Sequence, residues 1–197
     1  DLENAWWVCA IPPRSRKKDS DYQATLTQCL SLAKNMNMRG FVLCSSTGIY
    51  NQEARVYDAS SAITGSSERQ QKLIDAEQSV LNTGGKVLRL AGLVGPNRDP
   101  GQFVAGKELN SSSQQVVNMV HQQDVINAIV SVFEHWQEAD PIYNVVNPSH
   151  PSKVDYYQQK CTQNGTQPPT FSSHEKAERI IDGSAIESLG FTYQYDI

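Results

Sequence analysis

Residues 41–50 read FVLCSSTGIY: the apolar or thiol side chains of Phe41, Val42, Leu43 and Cys44, then three hydroxyls at Ser45, Ser46 and Thr47, then Gly48. A strand with one wet face alternates apolar and polar residues. The unbroken run Phe41 to Cys44 instead predicts a strand covered on both faces, as in a parallel sheet. Open α/β sheets hold their ligands at the carboxyl ends of such strands. The three hydroxyls therefore stand where a ligand crevice is expected.

The flanking segments repeat the pattern. A strand at Trp6 to Ile11 is stopped by Pro12 and Pro13, which cannot continue a ladder. Asp19, Ser20 or Asp21 can cap the next helix, whose apolar face is Tyr22, Leu26, Cys29, Leu30 and Ala33. SSERQQKLIDAEQSVL (66–81) predicts a second helix, with Ser67 and Gln70 spaced as a capping box and Thr83, Gly84 and Gly85 closing it. KVLRLAGLV (86–94) is another inward strand, ended by Gly95 and Pro96. VVNMVH (116–121) predicts a strand. From Gln122 onward Val125, Ile129, Val132 and Trp136 recur at helical spacing, with Ile126 and Phe133 widening the stripe. PIYNVVNP (141–148) is one more strand, and helices are expected near 152–163 and 184–189.

Strand and helix alternate throughout, which predicts an α/β fold: a Rossmann-like parallel sheet with helices on both faces. Val8, Val42, Leu43, Leu88 and Leu90 should lie in its interior, with Pro12 and Ser45 to Thr47 at one carboxyl edge. The chain has 197 residues, enough for one substantial core. A single domain over 1–197 is expected, with 96–113 and 148–197 forming a smaller substrate-side lobe. The irregular loop 96–113 is the candidate substrate loop.

A net charge of −4 supplies no basic field for nucleic acid or an anionic membrane. The run RSRKK (14–18) is expected to be a solvated loop. Cysteines at 9, 29, 44 and 161 form no CxxC and no close pair. They fit buried small hydrophobes in a reducing compartment better than a disulfide frame or a zinc site. His121 and Asp124 lack further ligands nearby, so no metal is expected. No signal-like or membrane-length apolar stretch occurs, which makes the cytoplasm the expected compartment. The opening DLENAWWVCAIPP has no initiator Met and enters a strand at once, as though the sequence began in mid-fold.

SSTGIY (45–50), RLAGLVGP (89–96), VHQQDV (120–125) and YNVVNP (143–148) resemble, in that order, motifs of extended short-chain dehydrogenase/reductases. The likeness is greatest to an atypical NAD-dependent epimerase/dehydratase-like branch, and it begins at what would be that family's fourth strand. The resemblance implies NAD or NADP as cofactor, a small-molecule substrate such as a sugar nucleotide or another carbinol or carbonyl compound, and a homodimer formed by helices at about 21–37 and 66–82. It places Pro12, Pro13, Ser45, Ala91, Gly92 and Leu93 along the cofactor, with Ser46 and Thr47 polarising the substrate oxygen. Arg98, in the loop after Gly-Pro, is a candidate for an anionic substrate group, with Phe103 and His121 as further substrate contacts. The His-x-x-Asp of His121 and Asp124 would open a helix beside the cleft and fix its corner. Arg89 is expected to order the sheet edge.

Two departures qualify that picture. The family's Tyr-x-x-x-Lys, whose phenol supplies the proton, is missing where it belongs: TGSSERQQK (64–72) carries Arg69 and Lys72 but no tyrosine. Tyr50 is the nearest candidate acid. A literal Tyr-x-x-x-Lys at Tyr156 and Lys160 lies in a C-terminal helix, where it reads as ordinary packing. The second departure is that no GxGxxG turn exists to wrap a pyrophosphate, so the chain alone is expected to bind NAD(P) weakly. Two functions remain open: an NAD(P)-dependent oxidoreductase or epimerase, and a non-catalytic dinucleotide-binding or redox-sensing protein that has lost the Tyr-Lys pair.

Overall fold

The computed structural model describes residues 2–13, 21–175 and 178–197. The cap candidates Asp19 and Ser20 and the basic run 14–18 lie outside them. In chain order the first half forms β1 (Trp6–Cys9), α1 (Tyr22–Asn35), β2 (Gly40–Ser46), a 3₁₀ turn (Thr47–Ile49), β3 (Val56–Tyr57), α2 (Glu68–Leu81), β4 (Lys86–Leu90) and β5 (Gly92–Val94). There follow α3 (Pro100–Val104), β6 (Glu108–Ser112), β7 (Met119–His121), α4 (Gln122–Glu134), β8 (Ile142–Val145), α5 (Lys153–Asn164), β9 (Thr170–Ser173), β10 (Ile180–Ile181) and a 3₁₀ helix (Ser184–Leu189).

The central sheet is wholly parallel and ordered β1-β2-β4-β8. Its register sets Val8 beside Val42 and Cys44 beside Leu88. Successive side chains leave opposite faces of a strand, so β2 feeds two cores. Phe41 and Leu43 pack with Leu26 and Leu30 of α1 and Ala76 and Val80 of α2. Val42 joins Leu88 and the α4 residues Val125, Ala128 and Val132 on the other face. Each such aliphatic side chain contributes roughly 1.5–3 kcal/mol by leaving water, which explains why the apolar run cannot alternate.

Val8 departs from expectation. It is 44% exposed, because β1 is the outermost described strand and pairs with β2 alone among the described residues. Arg89 also moves: it lies on β4, between β2 and β8, in the middle of the sheet rather than at its edge. The strand expected over 86–94 breaks at Ala91, and its second part, β5, leaves the sheet to pair with β7. That break turns residues 91–93 toward the carboxyl edge.

Helix ends follow local chemistry. Ser67 Oγ accepts from Gln70 N at 3.2 Å, which is half of a capping box. The Gln70 amide reaches back to side chains instead of to the Ser67 N–H: its Oε1 accepts from the Ser66 and Ser67 hydroxyls at 2.7 and 3.1 Å, and its Nε2 donates to the carbonyls of Ile49 and Tyr50. Asp21 occupies the α1 N-cap without a side-chain hydrogen bond. Three pairings were not legible in the sequence: β3 with β10, β6 with β9, and the short α3 against α5. The last depends on Gly101, where a Cβ would stand 2.6 Å from the Lys160 carbonyl oxygen. Among the described residues no helix is long and apolar enough to cross a membrane.

Candidate functional site

A cavity of about 850 Å³ opens at the carboxyl edge of the sheet. Ala10 to Pro13 after β1, Cys44 to Ser46 at the end of β2, and Leu90 to Leu93 after β4 form its floor. Arg69 and Leu73 of α2 stand on one side, and Gln122, Val125, Ile126 and Ile129 of α4 on the other, with Arg98 at the rim. Parallel strands ending at one level, and the break at Ala91, bring these separate segments together. Of the residues anticipated from sequence, Pro12, Pro13, Ser45, Ser46, Ala91, Gly92, Leu93 and Arg98 line this cavity.

The two serines present different faces to it. Ser45 Oγ lies 2.5 Å from Glu77 Oε1. Glu77 is held by Arg89, with Nη2 to Oε2 at 2.8 Å and Nε to each carboxylate oxygen at 3.1 Å. An ionised carboxylate only accepts, so the Ser45 proton is committed to Glu77 and its lone pairs are left for the cavity. Ser46 Oγ instead accepts from Gly48 N at 3.1 Å, which leaves its own proton to donate.

Four anticipated residues stand elsewhere. Thr47 opens the 3₁₀ turn and is buried. The same turn carries Tyr50 away from the cavity into the core, where it is fully buried. Its hydroxyl accepts from Arg89 Nη1 at 2.8 Å and lies 2.7 Å from Asn144 Oδ1 and 2.9 Å from the Asp58 carbonyl, so its single proton serves one of those two. Burial pushes this phenol above its ordinary pKa, with Arg89 acting the other way. Tyr50 therefore cannot meet a ligand in the cavity. Phe103 is 58% exposed on α3. His121 caps α4 by accepting from Gln123 N at 3.1 Å and stacks on Tyr195 at 4.8 Å.

Asp124 is fully buried, and its two oxygens accept from Gln194 N and Tyr195 N at 3.0 and 3.2 Å. The His-x-x-Asp thus fastens the tail segment 194–195 to α4. Tyr156 and Lys160 lie on α5 beside a separate cavity of about 360 Å³. Lys160 Nζ sits 5.7 Å from the Tyr156 ring centroid, as packing requires.

Cavity residues not anticipated were Ala10, Ile11, Cys44, Arg69, Leu73, Leu90 and the α4 residues Gln122, Val125, Ile126 and Ile129. Val125, Ile126 and Ile129 were visible as helical periodicity, Gln122 was not, and periodicity reports burial without saying what is buried against. Burial pushes the Cys44 thiol up to about 11, with Cys9 adding to the shift. All four cysteines are free. Among the described residues no group of three or more His, Cys, Asp or Glu side chains is placed to hold a metal.

A parallel sheet of this order with a crevice at its carboxyl edge defines the class as Rossmann-like. Solved structures of the same fold include MoeE5 in complex with UDP-glucose and NAD, with a TM-score of 0.82 and 17% identity over 100% of this chain and 76% of that one. Another is RMD from Pseudomonas aeruginosa complexed with NADPH, with a TM-score of 0.80 and 15% identity over 100% of this chain and 78% of that one. A third is a UDP-glucose 4-epimerase with UDP-glucose from Thermotoga maritima, with a TM-score of 0.79 and 16% identity over 98% and 73%. No protein-family model matches the chain. It is 35% identical to Protein YeeZ of Escherichia coli K12 over 195 residues, covering 95% of this chain and 70% of that protein, and it belongs to the family of YeeZ.

Proposed function

We propose that the 850 Å³ cavity takes the nicotinamide end of NAD or NADP together with a small carbinol or carbonyl substrate, in the manner of epimerase/dehydratase-like proteins. The observation that carries this reading is the convergence of three strand ends, β1, β2 and β4, on one cavity with a small-residue wall at Ala91 and Gly92 and two serines opposite. Structural neighbours bound to NAD, NADPH or UDP-glucose add support. A sugar-nucleotide-like substrate, with Arg98 meeting its phosphate, is the finer form of the proposal.

The residues present fit one half of the dinucleotide. Ala91, Gly92 and Leu93 with Pro12 and Pro13 offer a wall for a ring, and Ser45 offers a lone pair to a carboxamide N–H. The β1–α1 connection, however, contains no glycine, so its sequence lacks the Gly-rich turn that holds a pyrophosphate in this fold class. When bound, the nicotinamide would supply hydride transfer. The chain's own part is to position the substrate oxygen at Ser46 and to exclude water with the α4 stripe.

A second reading, binding without fast turnover, draws on one observation. The cavity-facing positions of α2 are Arg69 and Leu73, and among the described residues no phenol lines the cavity. A missing general acid forfeits roughly a hundred- to ten-thousand-fold in rate.

Titration of NADH and NADPH fluorescence against the chain tests the binding proposal. Weak saturable binding, in the range of about 0.1–1 mM, is expected, and Ala91→Phe or Ser46→Phe should abolish it by filling the cavity. No saturation, or binding indifferent to both variants, would sink the reading. Carbonyl substrates then separate enzyme from binder.

A further inference from the structure

The charge of this cavity is opposite to that of the molecule. The chain carries a net −4, yet among the described residues the 850 Å³ cavity is lined by two guanidinium side chains, Arg69 and Arg98, and by no Asp or Glu. Arg69 is exposed and has no ion pair among the described residues. The acid beside it in sequence, Glu68, is taken by Lys72 at 3.0 Å. Glu53 lines the adjoining cavity of about 670 Å³, in whose wall Arg69 also stands, without pairing to it. Glu77, behind Ser45, is already neutralised by Arg89.

Around Gly48 the geometry becomes specific. A Cβ at that position would lie 3.1 Å from Arg69 Nη2 and 3.2 Å from Ser46 Oγ. Arg69 Nη2 and Ser46 Oγ thus close in on one point beside Gly48, near enough to each other for a single ligand oxygen in the cavity they both line to meet a guanidinium N–H and a hydroxyl whose proton is free, since Ser46 Oγ already accepts from Gly48 N. Both groups donate, and neither can accept a ligand proton at neutral pH, because a guanidinium stays protonated. Charge-assisted hydrogen bonds of this kind suit carboxylate and phosphoryl oxygens.

We infer that Arg69 and Ser46 form an oxyanion-reading corner, so that the ligand of this cavity carries a carboxylate or phosphoryl oxygen between them, at the side where Arg69 also borders the adjoining cavity lined by Gly48. The inference rests on the reading of this cavity as the small-molecule site and narrows its substrate class to anions. Arg69 binds and orients; it transfers no proton. Leu73, one turn further along α2, is apolar, so among the described residues Arg69 is the one cation that α2 brings to this cavity.

Calorimetric titration of the full chain at low ionic strength tests it, with inorganic pyrophosphate, UDP and succinate as probes and glucose as the uncharged control. At least one anion should bind while glucose does not, and the pyrophosphate and succinate arms report which oxyanion is preferred. Arg69→Gln should weaken the binding about tenfold or more, Arg69→Lys less, and Ser46→Ala severalfold. Arg69 is exposed, so circular dichroism of the variants should match the parent. Binding of no probe, binding unchanged in Arg69→Gln, or binding lost only in Arg98→Gln overturns the inference. NADH serves to separate the two readings. Equal NADH binding by parent and Arg69→Gln without anion binding keeps the dinucleotide and removes the corner, whereas Arg69-dependent anion binding without NADH binding does the reverse.

Discussion

Arg89 is the largest side chain that the protein buries completely, and it sits in the middle of the sheet. It is tolerated there because Glu77, the Tyr50 hydroxyl and the Ala59 carbonyl receive its N–H groups. Removing one partner of such a pair leaves an uncompensated buried charge, which typically costs about 3–5 kcal/mol. Glu77→Ala should therefore lower stability by that order in urea unfolding and also release the Ser45 proton. A loss below about 1 kcal/mol would mean that water reaches Arg89. Cys44 makes a second prediction. Its thiol, pushed up to about 11 from 9.0 by burial, stays protonated where an unfolded thiol begins to ionise. At pH 8 its alkylation by iodoacetamide should be slower than that of an unshifted thiol by roughly a hundredfold. By the same linkage its contribution to stability is intact below pH 9 and falls as pH rises from 9 toward 11. Rapid labelling of Cys44 at pH 8 would contradict this and revive a redox-sensing role.

The elements were legible in proportion to how local their signals are. β2, β4 and β8 stood out because burial on both faces forces runs such as Phe41 to Cys44, and α4 because its stripe keeps helical period. β6 and β9, with sequences ELNSS and TFSS, pair across about 60 residues and carry neither alternation nor an apolar run. β3 and β10 are two residues each. The site was readable where the chain reports the carboxyl end of a strand, at Ser45, Ser46 and residues 91–93. It was misread at Tyr50, because proximity in sequence does not show that the 3₁₀ turn at 47–49 redirects the chain inward. His121 likewise was offered as a substrate contact, although its stacking partner Tyr195 lies some 70 residues away; Asp124, expected to fix the corner of the helix, accepts from the equally distant 194–195 amides. Asp124→Ala removes both acceptors and should free the tail. Hydrogen exchange at Gln194 and Tyr195 should accelerate while α1 and β2 stay protected, and unchanged exchange would show that packing alone holds the tail. Ser67→Ala should lower stability by about 1 kcal/mol through loss of the α2 cap.

Association belongs to the whole molecule. The proposed homodimer pairs α1 and α2 with their copies, and the outward faces of these helices set its strength. Leu32, 50% exposed, is the large apolar side chain on that surface. Around it stand polar groups that bond within the protomer, as Gln23 does to Ser79 across the two helices at 2.8 Å. Stable homodimer interfaces bury apolar cores far larger than one leucine, so the pairing should be weak, with a dissociation constant of about 0.1 mM or above. A competing surface exists at the open flank of the sheet. There β1 is the outermost described strand, and Val8, Ile11, Ile126 and Val130 are each 36–49% exposed. An uncovered strand edge beside apolar side chains is itself an association hazard. Sedimentation velocity at about 10 µM and about 500 µM, concentrations chosen to bracket that constant, should show a shift from monomer toward dimer. Leu32→Glu should remove the shift if α1 and α2 form the interface. A dimer that persists in Leu32→Glu and disappears in Val130→Glu would place the contact at β1 and α4, beside the mouth of the cavity.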